Sequence, residues 1–326
     1  MRARTVFLLA IVVSLAGLAA VRALSPLPPL EGRERSTAFM DTEETRLGRA
    51  IAPLAEAHPG TSGIHALAGA HDAFAARMLL AAAAERSLDV QYYIWRNDNT
   101  GTLLFEALHA AADRGVRVRL LLDDNNTSGM DDVLASLDSH PRIEIRLFNP
   151  FVLRGARWLG YLTDFSRLNR RMHNKSFTAD NQATIVGGRN VGDEYFDAAP
   201  EGELVFSDLD VLAVGPIVRE VSSEFDRYWA SGSAYPASRV LPPADPRGLG
   251  ALRERAARTK HDPAAAEYTR AALESPFVAQ LLEGRLPLEW APTTMVSDDP
   301  AKGLGQAPPD GLITSEMRRA IGDPQS

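Results

Sequence analysis

His173 and Lys175 stand two residues apart in the stretch Arg171-Met172-His173-Asn174-Lys175-Ser176-Phe177-Thr178-Ala179-Asp180. On a β-strand, side chains two apart share a face, so this spacing predicts an imidazole and an ammonium pointing into the same space. The pair suits displacement at a phosphodiester. That reaction gathers negative charge on the non-bridging oxygens, which a lysine stabilises, while a neutral imidazole attacks phosphorus. A protonated lysine only donates and ligates no metal, so the pair argues against a zinc site. Alone, a His-x-Lys pair is weak evidence: a strand histidine is usually structural and a lysine two residues on is usually solvated. The longer spacing carries more. Asp180 and Asn181 favour a turn. Ala183-Thr184-Ile185-Val186 returns as a short apolar strand, and Gly187-Gly188 ends it where backbone can approach a ligand closely. With Asn190 the full pattern is His-x-Lys-x4-Asp-x6-Gly-Gly-x-Asn.

The elements that must hold this hairpin are legible around it. Residues 88–95 are β-branched and aromatic, and read as a strand. Residues 102–114 carry Leu104, Leu108 and Ala111 at helical spacing, and 116–122 form the next strand, so the unit reads as βαβ. Asp123 and Asp124 then sit at the carboxyl end of a parallel strand, where a ligand crevice often lies; turn and helix-cap chemistry is the simpler reading. A helix at 131–138, a strand at 143–148, a strand at 208–214 and a helix opened by Pro216 follow. Upstream, 45–57 and 73–86 read as helices. Asp208 and Asp210 share a strand face and read as structural, or as partners for nearby arginines. His58, His71 and His140 read as helix-end, capping or surface, and turn residues. Between 151 and 170, Trp158, Tyr161 and Phe165 lie among Arg154, Arg157, Arg167 and Arg170. A lipid-facing or phosphate-steering loop and ordinary packing under arginine stems fit equally well, with the arginines nearest His173, Arg171 among them, better placed for phosphate. The expected fold is α/β, a mixed, mainly parallel sheet flanked by helices, with a helical extension after residue 235 that holds too few strands for a second sheet.

Composition narrows the class. The chain has 326 residues, 45% of them hydrophobic, enough for a sizeable core. Lys+Arg number 35 and Asp+Glu 42, a net charge of −7, which disfavours general nucleic-acid binding. Cysteine is absent, which excludes disulfides and cysteine metal sites. Arg2 and Arg4 precede an apolar run from Val6 to Val21, so residues 1–24 read as a signal peptide or a membrane anchor. Residues 25–45 are a linker, stiff at Ser25-Pro26-Leu27-Pro28-Pro29 and poorly ordered over 31–42.

Three stretches narrow the family: Leu88-Asp89-Val90-Gln91-Tyr92-Tyr93-Ile94-Trp95, Arg114-Gly115-Val116-Arg117-Val118-Arg119-Leu120-Leu121-Leu122-Asp123-Asp124 and Gly188-Arg189-Asn190-Val191-Gly192-Asp193-Glu194-Tyr195-Phe196. With the His173 pattern, the chain resembles the phospholipase D superfamily, and within it bacterial proteins of the cardiolipin synthase C type. The resemblance implies a bilobal protein with one such motif per lobe. It implies His173 as nucleophile, Lys175 on the phosphoryl oxygens, Asp180 orienting the histidine, perhaps through the opposite lobe, and Asn190, Gly187 and Gly188 lining the phosphate site. It implies no metal or cofactor. A phospholipid resembling phosphatidylglycerol is the expected substrate, at the exported face of a bacterial cytoplasmic membrane or in a secreted form. The sequence is thus expected to hold one lobe, residues 46–235, and an interlobe connector, 236–326, with the second lobe supplied by a homodimer or a separate chain. A catalytically inert lobe and a phosphodiesterase nuclease are the alternatives.

Overall fold

One mixed sheet organises the computed structural model, which describes residues 2–199, 202, 205–262, 265, 270 and 274–322. Its strands are β1 (Ser62–Leu67), β2 (Ser87–Tyr92), β3 (Arg117–Asp123), β4 (Ile143–Phe148), β5 (Ser176–Ala179), β6 (Ala183–Gly187), β7 (Asp210–Val214), β8 (Ala234–Pro236) and β9 (Glu289–Ala291). They lie in the order β8-β4-β3-β2-β5-β6-β7-β1-β9. Central strands buried on both faces need cover on both sides, and β2 is buried along its whole length. On one side Leu88 and Val90 pack with Phe74 and Leu80 of α3 (Ala70–Ala83) and Leu104 and Leu108 of α4 (Asn99–Asp113). On the other, Leu121 and Phe148 pack with Phe225 and Trp229 of α7 (Pro216–Ala230). This second layer also holds a buried ion pair, Arg119 Nε to Asp89 at 2.7 Å, with Arg119 reaching Asp226 of α7 at 2.8 Å.

The expected helix-flanked mixed sheet is present, but its parallel part is narrower than the βαβ reading suggested. Among the described strands only β2–β3 and β3–β4 pair in parallel, with one isolated parallel bridge from Trp95 to Val191. β5 and β6 form a hairpin, and β2–β5, β5–β6 and β6–β7 are antiparallel neighbours. The hairpin turns through Asp180 and Asn181, both with positive φ (52° and 51°), a conformation that Asp and Asn tolerate better than most residues. The strand also starts later than the His-x-Lys spacing implied: His173 and Lys175 lie in the lead-in to β5.

Two expectations about the flanks are corrected. The tail after residue 235 is not only helical. Residues 289–291 form the edge strand β9 beside β1, and α8 (Gly248–Lys260) packs against α4 and α5 (Asp131–Asp138). The linker over 31–42 is fastened to the lobe rather than poorly ordered. Arg146 Nη2 donates to Glu34 O (2.7 Å), Arg119 Nη1 to Ser36 O (2.9 Å), Trp229 Nε1 to Ser36 Oγ (3.0 Å), and Ala38 N to Asp226 (2.9 Å). Buried arginines of β3 and β4 require acceptors, and the linker backbone supplies them. Ahead of it, α1 (Arg2–Leu24) contains a stretch, Ala3–Leu24, of mean hydropathy 2.4, long and apolar enough to cross a membrane.

Phe177 lies wholly within the core on β5. Phe177→Ala is expected to cost about 3–5 kcal/mol of stability, read as a lower midpoint in urea unfolding.

Candidate active site

Topology decides where chemistry collects. The carboxyl ends of parallel β2, β3 and β4, the start of β5, the end of β6 and the start of β7 all lie along one edge of the sheet, because each antiparallel neighbour begins where the previous strand ends. That edge is the crevice side of a parallel sheet. It carries Tyr93, Asp123, His173, Lys175, Gly187, Gly188, Asn190 and Asp208.

His173 and Lys175 meet there. Lys175 Nζ donates to His173 O at 2.9 Å and lies 3.3 Å from His173 Nδ1. The Tyr93 ring packs against the imidazole with centroids 4.7 Å apart, and Lys175 Nζ lies 5.7 Å from the same ring. His173 is exposed, whereas Lys175 is buried. Partial desolvation of the ring, whose inner side is covered by Tyr93 and Lys175, then the Lys175 charge, lowers the His173 pKa below its ordinary 6.5. Burial lowers Lys175 to about 8, against the attraction of Asp208 and Asp210. At neutral pH the arrangement is therefore a neutral imidazole beside a cation short of solvent.

Three buried aspartates hold the segment in place. Asp123 accepts from Met172 N (2.9 Å) and Asn125 N (3.0 Å) and pairs with Arg171 Nη1 (3.0 Å). It therefore fixes the backbone just ahead of His173. Burial raises the Asp123 pKa to about 6 against the opposing pull of Arg171. Arg171 was expected on the phosphate. Its guanidinium is instead spent on Asp123, Leu168 O (2.6 Å) and Asn149 O (3.3 Å), because a buried carboxylate needs a countercharge. Asp180 is not brought to His173. At the far end of β5, its carboxylate accepts from Glu85 N (3.0 Å), Arg86 N (2.7 Å) and Ser87 N (2.9 Å), tying the hairpin turn to the start of β2. Asp210 pairs with Arg77 Nη2 (2.8 Å) and Arg189 Nη1 (3.5 Å), in keeping with its reading as an arginine partner.

Gly187 and Gly188 are needed for a close approach, though to a neighbouring strand. A Cβ at Gly187 would overlap Asp210 and Leu209 O, and one at Gly188 would overlap the Asp208 carboxylate. Asn190 is buried, accepts from Ile94 N at 3.0 Å and bonds Tyr195. Sequence reasoning gave Tyr93 no role of its own and read Asp208 as structural or as an arginine partner. Asp208 favours the charged form of both His173 and Lys175; its only signal was an acidic residue opposite a Gly-Gly pair. Lys302, from the tail, adds a further positive charge that lowers His173. It is held by Asp298, whose carbonyl accepts from Tyr228 Oη at 2.9 Å.

Among the described residues, one group of ligand types lies elsewhere: His109, Asp113 and His140. His140 Nδ1 accepts from Arg142 N at 3.1 Å, so a neutral His140 carries its proton on Nε2, which faces Asp113 at 3.4 Å. Asp113 also pairs with Arg253. The lone pairs a metal would need are thus engaged internally.

The profile described as "Cardiolipin synthase, PLD-like domain" matches residues 78–229. The chain is 55% identical over 280 residues to cardiolipin synthase C of Escherichia coli K12, covering 86% of this chain and 58% of that protein. It is 38% identical over 200 residues to an uncharacterised protein of Helicobacter pylori 26695, covering 61% and 39%. Thus it spans little more than half the length of the first of these relatives and less of the second. Among solved structures, phosphatidylserine synthase of Haemophilus influenzae Rd KW20 superposes with TM-score 0.42 at 12% identity, covering 67% of this chain and 49% of that one.

Asp180→Ala leaves three backbone donors without their carboxylate. Urea unfolding is expected to show a loss of about 3 kcal/mol or more, and Asp180→Asn, which keeps one acceptor oxygen, a smaller one.

Proposed function

We propose that residues 78–229, which match the cardiolipin-synthase, PLD-like profile, act as a domain of that kind, on a phospholipid phosphodiester resembling phosphatidylglycerol through a covalent phosphohistidine at His173. The observation that carries this reading is the Lys175 ammonium 3.3 Å from His173 Nδ1, buried and unable to serve a metal. When the diester anion arrives, the ammonium turns to a non-bridging oxygen, where it stabilises charge as phosphorus is attacked. Freed of the ammonium, the neutral ring releases its Nε2 proton to solvent as Nδ1 takes one up, and Nδ1–H donates to a carboxylate; Asp208, whose charge already acts on both groups, is the acceptor on this lobe. With the proton on Nδ1, the Nε2 lone pair is free to form the bond to phosphorus, and the bond to the leaving alkoxide breaks. Asn190 and the Gly187-Gly188 backbone line the phosphate. Arg171 is assigned to positioning, through Asp123.

The leaving alkoxide needs a proton, and the incoming group must lose one. A histidine of a second phospholipase D-type lobe, from a homodimer or a separate chain, supplies both steps. A lipid hydroxyl as acceptor yields cardiolipin, and water yields phosphatidic acid. The apolar α1 favours action at a membrane, at its exported face. The net charge of −7 weighs against a nuclease.

Labelled phosphatidylglycerol is expected to leave an acid-labile adduct on the protein and none on His173→Ala; an unlabelled wild-type protein at every concentration would leave the inert-lobe reading. Turnover rising with the square of protein concentration identifies the homodimer. Lys175→Met is expected to lower kcat by about 10²–10³-fold.

The pH dependence follows from the two shifted groups. The nucleophile must be neutral and the lysine protonated. The value of kcat/KM should fall as pH drops through a His173 limb below 6.5, and fall again as pH rises through about 8, where Lys175 loses its proton. Lys175→Arg should remove the alkaline limb while retaining part of the rate.

A further inference from the structure

Helix α6 (Arg157–Leu168) is built inside out. Most of its polar groups, with those of the turn before it, face the protein. Arg157 donates to Asp124 O (2.7 Å) and pairs with Asp131 (3.3 Å), Arg154 pairs with Asp124 and Asp131, and Tyr161 donates to Asn125. Its large apolar groups face outward: Trp158 is 65% exposed, Leu162 59% and Phe165 58%. Trp158 and Leu162 are one turn apart on one face, and Phe165 follows the break in the helix at Asp164 (φ −144°). Scattered exposed apolar residues are ordinary, but a cluster of three on one short element marks a contact surface.

The occupant is named by what lies beside it. At the end of α1, Arg22 pairs with Asp164 at 2.9 Å and donates to Thr163 O, beside the break in α6. The linker that follows α1 is fastened too: Arg239 donates to Glu31 O (3.0 Å), and Arg33 to Ser231 O (2.7 Å) and Ala234 O (2.6 Å). A bilayer that holds α1 therefore meets α6 where α1 leaves it. Tryptophan and phenylalanine beside an arginine suit that boundary, since the rings bury apolar area at headgroup depth. We propose that Trp158, Leu162 and Phe165 of α6 form a lipid-surface docking element that sets the lobe against the membrane, with the chain running from α6 directly into His173. This rests on the reading of α1 as a membrane segment and adds a docking face to the phospholipid chemistry proposed above.

The chain lacks cysteine, so single labels are unambiguous. Full-length Leu162→Cys and, as control, Glu289→Cys on the edge strand β9 are labelled with a polarity-sensitive fluorophore. They are reconstituted into vesicles of phosphatidylglycerol and phosphatidylethanolamine. The label at 162 is expected to be quenched by acyl-chain spin-labelled lipid and shielded from iodide, and the label at 289 to show the opposite. A label at 162 as open to iodide as that at 289 overturns the proposal. A second measurement uses Leu162→Glu with Phe165→Glu in the full chain. Its KM for lipid in vesicles should rise about tenfold with turnover of a water-soluble short-chain diester unchanged; an unaltered KM counts against docking. Immersion is read without turnover, so an immersed label on a protein that forms no adduct sinks the chemistry and leaves the docking standing.

Discussion

An ammonium stripped of much of its water beside a neutral imidazole is the interaction on which this lobe depends. Lys175 is stable there only because its cost of desolvation is offset by carbonyl and ring contacts and by the carboxylates of Asp208 and Asp210. That balance leaves the cation under-satisfied, which is the condition for binding an anion strongly. A fully paired lysine in the same place would hold His173 but offer nothing to phosphate.

Around this point the fold uses buried carboxylates as fasteners. Asp123 fixes the chain before His173, Asp180 fixes the turn after β5, and Asp210 fixes Arg189 beneath the Gly-Gly pair. Each spends its hydrogen bonds on backbone N–H groups or on arginines, and Asp210 acts on Lys175 only through its charge. Arginine plays the matching part between the sheet and α7, where the buried Arg119 and Arg146 bind linker carbonyls while stacking on Trp229 at 5.5 and 4.1 Å.

Much of this was legible in the sequence. The helix at 131–138 and the strand at 143–148 fall where periodicity put them; His173 and Lys175 do meet, but in the lead-in to β5 and not on a shared strand face. The fold itself follows from alternation and turn residues near 180. Long-range pairing was not legible. Periodicity cannot tell that β5 returns antiparallel beside β2, nor that residues 289–291 close the far edge, because strand neighbours are chosen by burial across the whole sheet. The role of Asp180 was misjudged for the same reason: its three donors come from the start of β2, distant in sequence. Arg171 looked available because a guanidinium near a histidine suggests phosphate, and nothing local announces the buried Asp123 that claims it.

The fastened linker has a mechanical consequence. Residues between α1 and the lobe surrender their freedom when the protein folds, so positioning the lobe against a surface incurs little further loss of chain entropy. On the docking proposed above, a lobe held at fixed height would meet its partners by lateral diffusion in a plane. Its encounters would then be governed by the mole fraction of a molecule within that plane and not by its amount per volume of solution.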